Sequence, residues 1–457
     1  KFIQGREIKC TPYLKEFFAY LCKNKLLLTL IYTSHAFGFN YYYPSQSSYL
    51  EFINWTSPQQ FYGVGPVVES VGLSTVYNYK KVNSLTNYVG LQLRGEFGFS
   101  NKYTAHQQFP GLVLLKFSEN LFFQNNFIFD SNGSKNQHYR GIEKESLNGW
   151  SSYLHHAALN YKYLYGHLLL GKTNIFINSF SDNLLINGNY PPVPALWWHH
   201  DSETWKYDWA LQFLDEKNAY GRFFTFHRYT FFNKKYSFSI TEAAIIRYDD
   251  FFRDGLRYVL PSGMITETEI NDGGNNLFWF IDGYYQINKL IYFGELLIDD
   301  YALDKKSPHK LAFKIGGRYS NGKFNLQLEY LRINRWVGNY LYPELQMNER
   351  KVLIGYPSGP DAHQLGLEVF SDISRAITIN AKLYILEYGE GTINEIWPVS
   401  GAGTNFGYTH EEFPSGNTEW EINSQINAYY RVKDYLSLQG SVQYESSEFQ
   451  YTLRVSF

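Results

Sequence analysis

Phe449-Gln450-Tyr451-Thr452-Leu453-Arg454-Val455-Ser456-Phe457 decides how the chain is read. Phe449, Tyr451, Leu453, Val455 and Phe457 alternate with Gln450, Thr452, Arg454 and Ser456. Successive side chains of a β-strand point to opposite faces, so the stretch predicts a strand with one apolar and one polar face. Two environments accept such a strand. In a soluble sandwich the apolar face is core and the polar face meets solvent. In an outer-membrane barrel the apolar face meets lipid and the polar face meets a wet lumen.

The same alternation recurs upstream. Phe324, Leu326, Leu328 and Tyr330 alternate with Asn325, Gln327 and Glu329. Ile377, Ile379, Ala381, Leu383 and Ile385 alternate with Thr378, Asn380, Lys382 and Tyr384. The off-face is rich in Asn, Gln, Ser and Thr, which suits a water-filled interior. Strands are expected at 87–99, 110–118, 121–130, 152–163, 166–178, 192–200, 204–214, 218–232, 236–248, 277–287, 290–300, 309–319, 322–334, 363–373, 376–388, 419–431, 435–446 and 448–457. That is about 18 strands, an even number, as single-chain bacterial barrels have.

The connections choose between sandwich and barrel. Outer-membrane barrels keep short turns in the periplasm and long loops outside. Counted back from a periplasmic Phe457, the connections Val432–Asp434, Ser374–Arg375, Asn288–Lys289 and Asn233–Lys235 fall inside and are short. The stretches 389–418, 335–362, 249–276 and 131–151 fall outside and are long; two outside connections, 215–217 and Ser447, are short, but no long one falls on the periplasmic side. A sandwich has no reason to sort its connections this way. The fold class expected is all-β, a transmembrane antiparallel barrel. A closing strand of this pattern also resembles the terminal strand of bacterial outer-membrane proteins, which implies recognition by the barrel assembly machinery.

Composition agrees. Aromatic residues make up 19% of the 457, with 41 Tyr and 36 Phe, as girdles at two membrane interfaces require. No run approaches the ~18–20 apolar residues of a spanning helix. A formal charge of -2 leaves no basic footprint for nucleic acid. Cys10 and Cys22 are the only cysteines, so residues 23 onward have no thiol chemistry. Lys23 and Lys25, the apolar run Leu26–Tyr32 and Ser34-His35-Ala36 read as a signal peptide with cleavage after Ala36. The expected division is 1–36 signal peptide and upstream segment, 37–86 a periplasmic or plug segment with some helix, and 87–457 the barrel.

Several stretches resemble the Wzi-type capsule assembly family, over roughly residues 150–373. They are Leu154-His155-His156-Ala157-Ala158-Leu159-Asn160-Tyr161, Leu184-Leu185-Ile186-Asn187-Gly188-Asn189-Tyr190-Pro191-Pro192, Gly294-Glu295-Leu296-Leu297-Ile298-Asp299-Asp300 and Ile354-Gly355-Tyr356-Pro357-Ser358-Gly359-Pro360-Asp361-Ala362. The resemblance implies a non-enzymatic outer-membrane lectin that helps anchor or assemble capsular or other extracellular polysaccharide. Its partners would be that polysaccharide and outer-membrane lipid.

Sugars present C–H faces to aromatic rings and hydroxyls to carboxylates, amides and guanidinium groups. The long loops carry that mixture. Trp336, Tyr340, Tyr342, Asp361, Trp397, Phe406 and Tyr408 are the candidates for polysaccharide binding. The competing reading is that these aromatics pack on one another or form the outer girdle. Glu242, Arg247, Glu295, Asp299 and Arg318 are expected as lumen charges that brace the interior. Glu242 shares its strand face with Tyr236, Phe238 and Ile240 if alternation is unbroken. A carboxylate against lipid is costly, so a β-bulge near Thr241 is expected to turn it inward.

No metal, cofactor or catalytic residue is expected. His155-His156 and His199-His200 are adjacent strand residues that face opposite ways, so neither pair chelates one ion. No nucleophile elbow marks a barrel hydrolase. A sugar-selective or general porin is the main alternative. Pro191-Pro192-Val193-Pro194 and Leu196-Trp197-Trp198 look able to fill the interior, which favours the lectin.

Overall fold

A computed structural model describes residues 64–67, 88–91, 94–99, 103–118, 120–130, 151–177, 183–186, 190, 192–248, 275–300, 309–321, 324–349, 352–374, 376–395, 413–433, 436–445 and 448–456. The expected signal peptide, and all of the 37–86 segment except Val64–Val67, lie outside them.

The first strands are β1 (Val64–Val67), β2 (Tyr88–Leu91), β3 (Arg94–Phe99), β4 (Tyr103–Lys116), β5 (Leu121–Asp130), β6 (Ser151–Tyr163) and β7 (Gly166–Ile177). Then come β8 (Val193–Asp201), β9 (Trp205–Phe213), β10 (Gly221–Phe232), β11 (Tyr236–Tyr248), β12 (Asn275–Ile287), β13 (Leu290–Asp300), β14 (Lys310–Ser320) and β15 (Phe324–Ile333). A two-stranded ribbon, β16 (Asn348–Glu349) and β17 (Val352–Leu353), follows. The last strands are β18 (Ala362–Asp372), β19 (Ile377–Tyr388), β20 (Glu419–Lys433), β21 (Leu436–Glu445) and β22 (Glu448–Ser456).

One 20-stranded sheet holds all but the ribbon. From β3 onward each strand pairs antiparallel with the next, β15 passing over the ribbon to β18. β22 in turn pairs with β3, Arg454 lying opposite Glu96. β2 and β3 both run along β4, on either side of Pro110, whose missing N–H cannot serve a ladder. β1 pairs with Asn174–Ile177, at the long-connection end of β7.

The short connections set the register. Asn288 takes φ 53 in the two-residue link between β12 and β13, as a primed hairpin turn requires. The Asn233 side-chain oxygen accepts from the N–H groups of Lys235 and Tyr236 at 2.7 and 3.0 Å. With the register fixed, parity sorts the faces. Tyr229, Phe231, Tyr236, Phe238, Tyr285, Tyr292, Ile315, Leu328, Leu365 and Ile426 are exposed on the outer side. Ser237, Ser239, Thr241, Asp282, Glu295, Lys314, Arg318 and Gln327 are buried on the inner side. An apolar exterior with aromatic residues near the short turns is a lipid-facing surface.

The bulge expected near Thr241 is absent. β11 pairs with β10 and β12 in unbroken register, Glu242 opposite His227 and Trp279. Glu242 therefore stays on the outward side and is not a lumen charge. The lipid cost does not arise, because this stretch of the outward face is itself buried: Tyr207, Trp209, Leu211, Phe223, Ala244 and Ile246 are all covered. Register shifts occur instead at Asn126/Phe127, Ile298/Asp300 and Arg431/Lys433.

Candidate functional site

The inner wall is cross-braced by buried charges. Arg228 donates to both oxygens of Asp282 at 2.5 and 2.9 Å, to Thr241 Oγ1 at 3.0 Å and to Ser239 Oγ at 2.8 Å. Lys314 pairs with Glu295 at 2.7 Å. Arg318 donates to Gln327 Oε1 at 2.9 Å, and Gln327 donates to Glu329 at 2.9 Å. Asp282 lies two strands from Arg228, across β11, and every other partner lies on an adjacent strand or two residues along the same one, so the register itself brings these groups together. A buried charge persists only when paired and hydrogen-bonded, and here the braces supply that.

Two chain segments occupy the space inside this wall. The first is Asn183–Ile186 with Tyr190, between β7 and β8. Asn183 Oδ1 accepts from Leu185 and Ile186 N–H, and Leu184 N–H donates to Glu295 Oε2 at 3.0 Å. Tyr190 donates to Gln212 Oε1 at 2.8 Å. The second is residues 334–361, between β15 and β18. Its Val337, Leu345, Met347, Ile354 and Tyr356 join Leu184, Leu185, Ile186 and Tyr190 in one core with the inward Phe224, Phe226, Phe278 and Phe280. Trp197, from the stretch expected to fill the interior, is in the same core, whereas Trp198 faces outward in the cluster around Trp209.

The second segment is pinned to the wall at the long-connection end. Arg222 donates to the carbonyls of Glu344, Gln346 and Asn348 at 2.5, 2.8 and 2.9 Å, and to Asp215 at 2.5 Å. Asp215 N–H donates to Glu349 Oε2 at 2.7 Å. Lys217 reaches the Pro343 carbonyl and Asn348. Lys310 donates to the Asn339 carbonyl at 3.0 Å, and Gly338 N–H to Asp299 Oδ2 at 2.8 Å. Burial, and Asp215 beside it, push the Glu349 carboxyl up to about 7. Burial, with Arg222 nearby, pulls Lys217 down to about 8.

A stacked cluster stands above this anchor. The Arg247 guanidinium lies 5.0 Å from the Tyr220 ring centre and 4.2 Å from that of Tyr342, and donates to Glu344 Oε1 at 2.5 Å. The Tyr340 and Tyr342 rings are 6.4 Å apart. Tyr342 is 37% exposed, with Asn218 and Ala219 exposed beside the cluster. Asn218 donates to Glu344 Oε2 at 3.1 Å. Flat aromatic faces, a guanidinium, a carboxylate and an amide gathered at a surface are groups that engage sugar rings and their hydroxyls.

The expected binding residues divide. Tyr340 and Tyr342 belong to this cluster. Trp336 is 3% exposed and packs against Arg335 at 4.9 Å, so its face is not offered to a ligand. Asp361 is wholly buried at φ 60, accepting from Gly391 N–H, Ser415 N–H and Ser415 Oγ; it ties two loops together. Trp397, Phe406 and Tyr408 lie outside the described residues. Of the expected lumen charges, Glu295 and Arg318 brace the wall, and Arg247 and Asp299 hold the 334–361 segment. Tyr220 was not anticipated; its signal was the Asn218-Ala219 turn that delivers it to the rim. His199 and His200 do point apart: His199 meets Asp208 at 2.7 Å and His200 lies over Trp205 at 4.9 Å. Among the described residues no group of three His, Cys, Asp or Glu is placed to hold a metal ion.

No family model and no curated protein sequence matches the chain. Solved structures do. Wzi of Escherichia coli, described as an outer membrane protein involved in group 1 capsule assembly and a carbohydrate-binding β-barrel, is similar with a TM-score of 0.57 and 11% identity. The match covers 86% of this chain and 89% of that one. OprD of Pseudomonas aeruginosa is similar with a TM-score of 0.47 and 11% identity, over 81% of this chain and 93% of that one. OccK8 (OprE) of the same organism gives 0.46 and 10%, over 81% and 97%. At 11% identity the likeness to the Wzi structure is one of fold, and with the lipid-facing exterior it makes this chain a β-barrel of the Gram-negative outer membrane.

Proposed function

We propose that the protein is a non-enzymatic outer-membrane lectin, akin to the Wzi-type capsule assembly proteins, that holds an extracellular polysaccharide at its loop end. The observation that carries this reading is the Tyr220–Arg247–Tyr342 stack, fixed over the anchored 334–361 segment. A site held by a packed floor loses little conformational entropy on binding. The two inserted segments also weigh against a porin, since a porin needs a continuous aqueous path. The carbohydrate-binding description of the Wzi structure supports the reading by analogy of fold. Recognition of β22 by the barrel assembly machinery belongs to the same proposal.

The test is retention of the purified barrel on immobilised acidic polysaccharide, paired with conductance in a planar bilayer. The lectin reading expects retention, loss of most of it in Tyr342→Ala, and no large stable conductance. A large steady conductance without retention would establish the porin instead.

A further inference from the structure

Outward-facing residues on a barrel are expected to be apolar, and at the loop end of β15, β18, β19 and β20 they are not. Arg332 sits opposite His363, His363 opposite Glu387, and Glu387 opposite Trp420, in one row across four strands. All share the outward face with the exposed Leu328, Leu365, Ile422 and Trp420, the last 66% exposed. The row lies loop-ward of the exposed Leu328, Leu365 and Ile422.

The row's one carboxylate, Glu387, is engaged by its histidine and not by Arg332. His363 is paired with Glu387 at 2.5 Å and lies 3.4 Å from the Tyr330 hydroxyl. Arg332 has no carboxylate partner among the described residues. Its Nε–H makes one long bond, 3.4 Å, to Asn334 Oδ1. The Phe413 ring, from the 389–418 loop, stacks on the guanidinium at 3.8 Å and meets His363 edge-on at 5.8 Å. Stacking fixes the plane of the guanidinium and leaves its in-plane N–H groups to a ligand. A planar fork of that kind suits a phosphate, which it can engage through two parallel hydrogen bonds. Trp420, Leu365 and Leu328 below it offer the apolar surface that an acyl chain would cover.

We infer that Arg332, stacked on Phe413 and flanked by His363, Tyr330 and Trp420, binds the phosphate of an outer-leaflet glycolipid on the outside of the barrel. The site is separate from the Tyr342 cluster, so its test is independent of the lectin reading. Loop-end sidedness follows the rule that long loops of such barrels are extracellular.

The experiment uses the full barrel in nanodiscs. Binding of a bisphosphorylated lipid A-type glycolipid and of its dephosphorylated counterpart is measured by native mass spectrometry. The wild type should prefer the phosphorylated lipid. Arg332→Gln should weaken that preference at least about tenfold, the scale of one charge-assisted bond pair, and Arg332→Lys should lose part of it. Phe413→Leu, which keeps volume without a ring face, should weaken it less. Millimolar inorganic phosphate should fail to displace the lipid. Folding of each variant is checked by heat-modifiable gel migration. Equal preference in wild type and folded Arg332→Gln would overturn the proposal, as would displacement by free phosphate.

Discussion

Replacing Arg222 with methionine should loosen the 334–361 segment. Methionine keeps much of the buried stem volume and removes all four charged contacts: three backbone carbonyls and Asp215. Hydrogen bonds from a charged donor contribute about 1.5–3 kcal/mol each, but these four share one side chain and do not add. Removing one partner of a buried ion pair costs about 3–5 kcal/mol in all. With a loss of about 4 kcal/mol, local opening should become about a thousandfold more frequent, since each 1.4 kcal/mol is a factor of ten. Amide hydrogen exchange over 343–349, read by mass spectrometry, reports that opening directly. Strand amides in β13–β15 should keep their protection. If the 343–349 amides of folded Arg222→Met exchanged within about threefold of the wild type, Arg222 would not be the anchor and the reasoning would fail.

Other outcomes follow from the same contacts. Glu349 has its pKa raised from 4.5 to about 7, so the folded state holds a proton that the unfolded chain releases between those values. The anchor should therefore be strongest below pH 4.5 and weaken as pH rises through 7, by on the order of 3 kcal/mol at most; exchange over 343–349 should quicken across that window, and Glu349→Gln should flatten the slope. Asp282→Asn should destabilise the barrel by about 3 kcal/mol by stranding Arg228, whereas the double change Arg228→Met with Asp282→Leu should recover most of the loss in urea titrations. Ala219 sits at φ 66, so Ala219→Gly should stabilise the protein by about 0.5–1 kcal/mol in urea titrations, the relief of the left-handed backbone exceeding the entropy added to the free chain.

Strand positions were legible because period-2 alternation is local. The strands expected at 236–248 and 290–300 match β11 and β13 end to end. β4 begins at Tyr103, well before the expected 110, because His106-Gln107-Gln108 and Pro110 break the apolar rhythm that reveals a strand. The charge braces were less legible. Arg228 and Asp282 are far apart in sequence and meet only through the β10–β11–β12 register. Glu242 was turned inward on the premise that every outward residue of a barrel meets lipid, and the covered patch around Trp209 breaks that premise. In the loops, residue type carries no information about depth. Trp336 and Tyr342 read alike as sequence, and only the way the segment folds back into the lumen buries one and bares the other.

The inward Phe224, Phe226, Phe278 and Phe280 bear on how such a protein is made. Where β10 to β12 meet the insert, the strands are apolar on their inner side, and the loop-end half of β10 and β11 is apolar on its outer side as well. A channel protein can close its wall around water and add loops afterwards. Here an empty barrel would bare the phenylalanine patch of β10 and β12 to water. Cutting out 335–361 to engineer a pore should thus yield aggregates during refolding, because the segment is less a lid than the mandrel around which the wall closes.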